Sequence, residues 1–324
     1  MWKRLLCLAT LAPASVGGWA AGGATDSYPN KPIRAILGFP PGGSDDYLAR
    51  TIGPKLTERF GQPVIVDNRP GAAANVGAEM AAAANPDGYT LFLGPTTLLA
   101  ASRSLYPKLG YDLLKDFSYV SQVATGGTVL LAHPSLPARS VAELVALARS
   151  KPKTIAYGSA GVGSLAHLSM ELLVSRTGME LVHVAYKGAA PNAIALAGGE
   201  VKIGFSSVAA ALPMIQAKRL NALAVTTARR VGALPDLPTV AESVPGYDVT
   251  ISFGILAPTG TPPAIIKLLN AEVRNIVQMD DVKAKFASQA LDAAGSTPDE
   301  YRAITNAQAA QWARVIKESN ITAN

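Results

Sequence analysis

The run Ile33-Arg34-Ala35-Ile36-Leu37-Gly38-Phe39-Pro40-Pro41-Gly42-Gly43-Ser44-Asp45-Asp46 changes its local chemistry twice. Ile33 to Gly38 is aliphatic and partly β-branched, so it predicts a buried strand. Phe39 to Gly43 holds two prolines and two glycines, which break regular structure and let backbone approach a partner closely. Ser44 to Phe60 then takes up helical spacing, with Asp45 and Asp46 in the first turn where a helix favours negative charge. A strand, a glycine loop and a helix in this order open a βαβ unit.

The same order repeats outward from this unit. Strands are predicted at Pro63 to Asp67, Tyr89 to Leu93, Val129 to Ala132, Ile155 to Tyr157, Leu181 to Ala185, Lys202 to Phe205 and Leu220 to Thr226. Helices fall between them at Asn75 to Ala84, Ser140 to Ser150, Ser164 to Thr177, Ala189 to Gly198 and Ala209 to Ala217. Such alternation predicts an α/β fold with parallel sheets covered by helices. Ser140 with Glu143, and Thr297 with Pro298 and Glu300, have capping-box spacing. Thr261-Pro262 opens a further helix running towards Met279, and Pro298 to Ser319 reads as a long amphipathic helix anchored by Tyr301, Ile304, Trp312 and Ile316.

Two irregular stretches interrupt the alternation, one at Thr125 to Thr128 and one at Arg229 to Tyr247 with Pro235, Pro238 and Pro245. Two crossings that flank a middle segment predict an inserted domain, a hinge and a cleft. The expected organisation is a signal peptide at 1–24, a discontinuous first lobe at 25–126 and 248–324, and a second lobe at 127–247.

The compartment follows from the first residues. Lys3 and Arg4 precede the apolar run Leu5 to Val16, and small residues follow at Gly18 and Ala20, or Gly22 and Ala24. This is the pattern of a cleaved secretory signal, which places the mature protein in the periplasm. The only cysteine, Cys7, lies inside that signal, so the mature chain has no thiol for a disulfide, a metal site or a nucleophile. The formal charge is +6, and loss of Lys3 and Arg4 leaves +4 without any basic run, which argues against nucleic acid and for a receptor of anions.

A second glycine loop, Gly158-Ser159-Ala160-Gly161-Val162-Gly163-Ser164, lies between a middle strand and its helix. Both loops set backbone N–H groups at a helix start, where carboxylate or phosphate binds without a cationic side chain. Each is a weak signal alone, because strand-to-helix turns use glycine for structural reasons, but two on opposite sides of a hinge reinforce one another. Neither has the spacing of a P-loop or a dinucleotide fingerprint. The histidines are His133, His167 and His183, with no metal-binding spacing and no nucleophile elbow. Ser164 and His167, one helical turn apart, read better as a cap or ligand donor than as a nucleophile and base. No catalytic residue, metal ligand or cofactor is expected.

These residues resemble the Bug family, the substrate receptors of tripartite tricarboxylate transporters. The resemblance runs from Tyr28-Pro29-Asn30-Lys31-Pro32-Ile33 and Phe39-Pro40-Pro41-Gly42-Gly43 through Asp67-Asn68-Arg69-Pro70-Gly71-Ala72 and Asn85-Pro86-Asp87-Gly88-Tyr89. It continues with Ser159-Ala160-Gly161, Gly163-Ser164, His167-Leu168, Tyr186-Lys187-Gly188 and Leu234-Pro235-Asp236-Leu237-Pro238. It implies a type II periplasmic-binding fold of two parallel-sheet lobes that closes on a small carboxylate, a dicarboxylate or an aromatic acid. It also implies membrane permease subunits as partners of a monomeric receptor. The site it implies comprises Phe39, Pro40, Gly42, Gly43, Ser44 and Asp46 from the first loop, Thr96 and Thr97, and Ser206. The second loop contributes Ser159, Ala160, Gly161, Gly163, Ser164 and His167. Asp45 departs from the small or hydroxyl residue that the family pattern favours there. Two other readings stay open, a receptor for a sensor kinase and, with no visible triad, a secreted hydrolase.

Overall fold

A computed structural model of the chain describes residues 28–106 and 108–321, and the expected signal peptide lies outside them. In chain order the elements are β1 (Ile33–Leu37), α1 (Ser44–Phe60), β2 (Val64–Asn68), α2 (Asn75–Ala82), β3 (Thr90–Pro95), α3 (Thr96–Leu105), β4 (Phe117–Gly126) and β5 (Thr128–Ala132). Then follow α4 (Val141–Ser150), β6 (Ala156–Ser159), α5 (Leu165–Thr177), β7 (Val182–Ala185), α6 (Ala189–Gly198), β8 (Ile203–Ser207), α7 (Val208–Gln216) and β9 (Asn221–Val225). The chain ends with α8 (Val240–Ser243), β10 (Ile251–Pro258), α9 (Pro263–Val277), α10 (Asp280–Ser288), β11 (Leu291–Ala293) and α11 (Pro298–Glu318).

The strands form two sheets, ordered β11-β4-β10-β3-β1-β2 and β7-β6-β8-β5-β9. Where strand and helix alternate, pairing is parallel, as in β1 with β2 and β3, and β6 with β7 and β8. The sheets are nevertheless mixed rather than wholly parallel. β10 runs antiparallel to β3 and β4, and β5 runs antiparallel to β8 and β9. β5 and β10 are the strands by which the chain enters a sheet after crossing from the other.

Gly127 carries the chain from the first sheet to the second, and Thr226 to Thr250 bring it back. The two crossings are tied together. Thr226 Oγ1 accepts from Thr128 N at 2.9 Å and donates to Val249 O at 3.0 Å, while Thr226 N donates to Thr128 O at 2.9 Å. A Cβ on Gly127 would lie 2.7 Å from the Thr227 methyl, so only glycine lets the two segments run this close.

Helix α11 contacts α3 beside the first sheet and α5 beside the second. Tyr301, Trp312 and Ile316 are buried as expected, whereas Ile304 is only half-buried. Its capping box forms as predicted, with Thr297 Oγ1 accepting from Glu300 N and the Glu300 carboxylate accepting from Thr297 N. At α4 only half the predicted box forms. Ser140 caps Glu143 N, but the Glu143 carboxylate reaches back to Arg139 N at 2.8 Å, one residue before the cap. The helix predicted to begin at Thr261-Pro262 starts at Pro263, because Thr261 turns its hydroxyl to Pro258 O at 2.7 Å.

Candidate ligand-binding cleft

The first glycine loop is held from below by Asp46. Its carboxylate accepts from Gly42 N at 3.0 Å, from Arg50 Nε at 2.9 Å and from Asn68 Nδ2 at 3.3 Å. Asn68 also donates to Phe39 O at 3.0 Å, so one acid and one amide fix both ends of the loop. The hydrogen bond from Arg50 and those from Gly42 and Asn68 keep the Asp46 carboxyl below its ordinary range despite burial. The sequence expects Asp46 at the ligand, and it lines the larger of the two cavities described next while its oxygens also serve the loop.

Above Asp46, α1 begins at Ser44 with Gly43 as its N-cap, and no side chain caps it. Helix α3 begins at Thr96 after Pro95, again without a side-chain cap. Uncapped starts leave several backbone N–H groups without intrahelical partners and carry partial positive charge. Both starts line one cavity of about 460 Å3, through Gly43, Ser44 and Asp45 on one side and Pro95 and Leu98 on the other. Phe39, Ile251 and Phe253 form apolar walls, and Leu165 at the start of α5 closes it from the second sheet. A neighbouring cavity of about 540 Å3 sets Gly42, Gly43 and Ser44 opposite Ser207, Ala209 and Ala210 at the start of α7, with Arg50 and Lys285 at its edge. The first loop therefore stands between two hollows that both reach the second sheet.

Thr96 and Thr97 are fully buried, and their side chains do not face the cleft. Thr96 Oγ1 shares a hydrogen bond with Tyr301 OH at 2.9 Å, and Thr97 Oγ1 donates to Gln308 Oε1 at 3.0 Å and accepts from Ser252 N at 2.8 Å. They lock α3 to β10 and α11, and only their backbone belongs to the uncapped helix start. Ser206 is likewise corrected by one residue. It is half-buried in β8, and Ser207 lines the larger cavity instead, at the N-cap of α7.

The second loop is shaped by a buried cluster. Gly161 and Gly163 have φ of +128° and +75°, which side chains rarely adopt. Ser159 Oγ contacts His183 Nε2 at 2.7 Å and accepts from Gly161 N at 3.2 Å. His167 Nδ1 accepts from Gly163 N at 3.0 Å, and Ser164 Oγ caps α5 by accepting from His167 N at 3.3 Å. The rings of His167 and His183 stack at 4.1 Å, and the Tyr157 ring lies 4.7 Å from His183 and 6.4 Å from His167. Burial, aided by His183, lowers the His167 pKa to about 4, and burial lowers that of His183. Ser159 and His167 thus act inside the loop, contrary to the expectation that they touch ligand. Ala160, Gly161, Gly163 and Ser164 stay part-exposed along the loop. The Ser159 side chain is shut from solvent.

Sequence reasoning missed Ile251 and Phe253 in the apolar wall and the burial of Asp45. Ile251 and Phe253 alternate with Ser252 and Gly254, a period-2 signal for one face of a strand. Asp45 is only 2% exposed, and burial, with Asp46 adjacent, pushes its pKa up to about 6 against the pull of backbone N–H groups of Asp46, Asp45 and Phe39. Arg69 pairs with Asp67 at 2.9 Å.

Two α/β lobes joined by paired crossings, with uncapped helix starts facing the gap, define a two-lobed solute receptor of the periplasmic-binding type. Residues 48–321 match the model of the tripartite tricarboxylate transporter family receptor, TctC. The chain belongs to this family of solute-binding receptors. It is 36% identical to protein BugT of Bordetella pertussis over 318 residues, which cover 98% of this chain and 97% of that one. Among solved structures, R. palustris Rpa4515 with adipate superposes with a TM-score of 0.79 at 36% identity, covering 91% of this chain and 100% of that one. MatC from Rhodopseudomonas palustris with bound malate gives 0.74 at 28% identity, covering 89% and 100%.

Proposed function

We propose that the chain is a periplasmic receptor that captures a small carboxylate between its lobes and delivers it to the membrane permease of a tripartite tricarboxylate-type transporter. The observation that carries the reading is the convergence of two uncapped helix starts, those of α1 and α3, on one apolar-walled cavity. Their N–H groups supply charge-complementary donors to a carboxylate without the desolvation cost of a buried lysine or arginine. Apolar walls accept the carbon skeleton of a dicarboxylate or an aromatic acid. Closure follows from contacts the ligand makes with both lobes at once, with the Gly127 and Thr226 crossings as the hinge. Adipate and malate in the two neighbours support the ligand class, and family membership supports the permease partner and the periplasmic location.

A thermal-shift screen of the mature protein against mono-, di- and tricarboxylates, aromatic acids and their amides tests the reading. An acid at about 100 times its Kd adds about 2.7 kcal/mol, which raises Tm by about 5–10 °C for a chain of this size. A shift by an acid and none by its amide is expected. Shifts confined to amides or amines would overturn it.

A further inference from the structure

The second glycine loop meets α3, a helix of the first sheet, at Gly163. A Cβ added there would lie 3.2 Å from Leu105 Cδ1, at the end of α3, so the two layers touch through bare backbone. Two residues on, Leu165 closes the smaller cavity from the second sheet. The start of α3 lines the same cavity through Pro95 and Leu98. The place of Gly163 therefore bears both on a contact between the lobes and on a wall of the cleft.

One side chain holds Gly163 there. Its N–H donates to His167 Nδ1 at 3.0 Å, and the His167 ring is buried. This geometry needs a neutral imidazole with its proton on Nε2, because a proton on Nδ1 would set two N–H donors face to face. The neighbours do not favour that second proton. From β7, His183 stacks on the ring at 4.1 Å, and Tyr157 of β6 lies 6.4 Å away with its hydroxyl donating to Glu171. Glu171, on α5 itself, is 3.8 Å from Nε2, the nitrogen that does not face Gly163. The other elements packed on α5 add no charge at this point. Tyr247 donates to Ser169 O, and Glu318 of α11 meets Ser175, about two turns beyond His167. Strand β8 carries no titratable residue, and Arg103 of α3 is paired with Asp112.

We propose that His167 is a positioning residue for ligand capture: unprotonated, it docks Gly163 on Leu105 and favours the closed cleft, and a proton on Nδ1 undocks the loop and lowers affinity. The proposal rests on the carboxylate reading and adds an acid-sensitive step to it. An undocked loop lets water accept the Gly163 N–H, whereas the docked loop offers it only His167. Loss of that acceptor therefore weakens the closed state and spares the open one, a loss of about tenfold in affinity. The linkage also runs in reverse, so a ligand that closes the cleft makes His167 harder to protonate.

The test has two arms. Calorimetric titration with adipate, malate and terephthalate at neutral pH compares the mature wild type, His167→Asn and His167→Leu, with melting curves to confirm folding. NMR then follows the titration of the His167 ring in the wild type, with and without the acid bound most tightly. His133 and His183 are the only other imidazoles in the chain, so the signal missing from the asparagine variant assigns His167. The asparagine variant, which keeps an acceptor for Gly163, is expected to bind within about threefold of the wild type, and the leucine variant about tenfold or more weaker. Bound acid is expected to move the His167 titration to lower pH. The NMR arm uses the wild-type fold and decides the matter if the leucine variant does not fold. Full affinity in a folded leucine variant, an asparagine variant as weak as the leucine one, or a His167 titration that the acid leaves unmoved overturns the role of His167 and leaves the carboxylate reading standing. Binding of none of the acids by the wild type overturns the carboxylate reading and this proposal with it.

Discussion

His167 Nδ1 accepts the Gly163 backbone N–H at 3.0 Å, so the second glycine loop keeps its shape only while that nitrogen is unprotonated. The ring also stacks on His183, and Glu171 lies 3.8 Å from its other nitrogen. The folded-state pKa of about 4 lies below the ordinary value of 6.5, so the unfolded chain binds this proton more readily. The stabilisation is complete above pH of about 6.5 and is lost as pH falls towards about 4, by up to about 3 kcal/mol. His167→Asn keeps an acceptor for Gly163 without titrating. Its denaturation midpoint is expected to stay flatter than the wild type's between these pH values, as measured by urea titration.

Asp46 ties Gly42, Arg50 and Asn68 together, and Asp46→Ala leaves the Gly42 N–H and the part-buried Asn68 amide short of an acceptor. A stability loss of about 1–3 kcal/mol is expected. Arg50→Ala removes only an exposed partner and is expected to cost under about 1 kcal/mol. Chemical denaturation of both variants separates the two effects, and equal losses would contradict the placement of Asp46.

Adjacent glycines in the same loop should fail differently. Gly42 has φ of +90° with nothing within 4 Å of an added Cβ, so Gly42→Ala meets strain alone, about 1–2 kcal/mol of stability. Gly43 has an ordinary φ of −79°, and its added Cβ would press on the Asp45 carboxyl at 3.1 Å. Gly43→Ala is expected to keep most of its stability and lose affinity, which calorimetry and melting curves together resolve.

Gly254 in β10 packs against Tyr301 of α11. A Cβ there would lie 2.2 Å from Tyr301 OH and would break the Tyr301–Thr96 hydrogen bond. Gly254→Ala is expected to lower stability by about 2 kcal/mol or more, while Tyr301→Phe, which keeps the ring, costs about 1 kcal/mol.

Glycine and proline punctuation made much of the framework readable. The C-terminal glycines Gly61 and Gly199, at φ of +66° and +77°, stop α1 and α6 where the sequence predicts. Helix α3 escaped because it starts without a cap at a β-branched Thr96-Thr97 pair, and the missing cap is the same feature that makes its start useful to a ligand. Strand β4 hides buried Ser121 and Gln122, whose partners include Ser296, more than 170 positions away. The loop acids divide along the same line. That Asp46 and Asp45 stand at a helix start was legible. Asn68 beneath one and the burial of the other are products of the fold.

The central claim is that backbone N–H groups at two helix starts hold a carboxylate. Calorimetric titration of the mature protein with the acid that shifts its melt most, and with the matching amide in which every carboxylate is replaced, tests it most directly. The account predicts one acid bound per chain, with the amide weaker by about a hundredfold or more, as loss of charge-assisted hydrogen bonds implies. Equal affinity for acid and amide would contradict it.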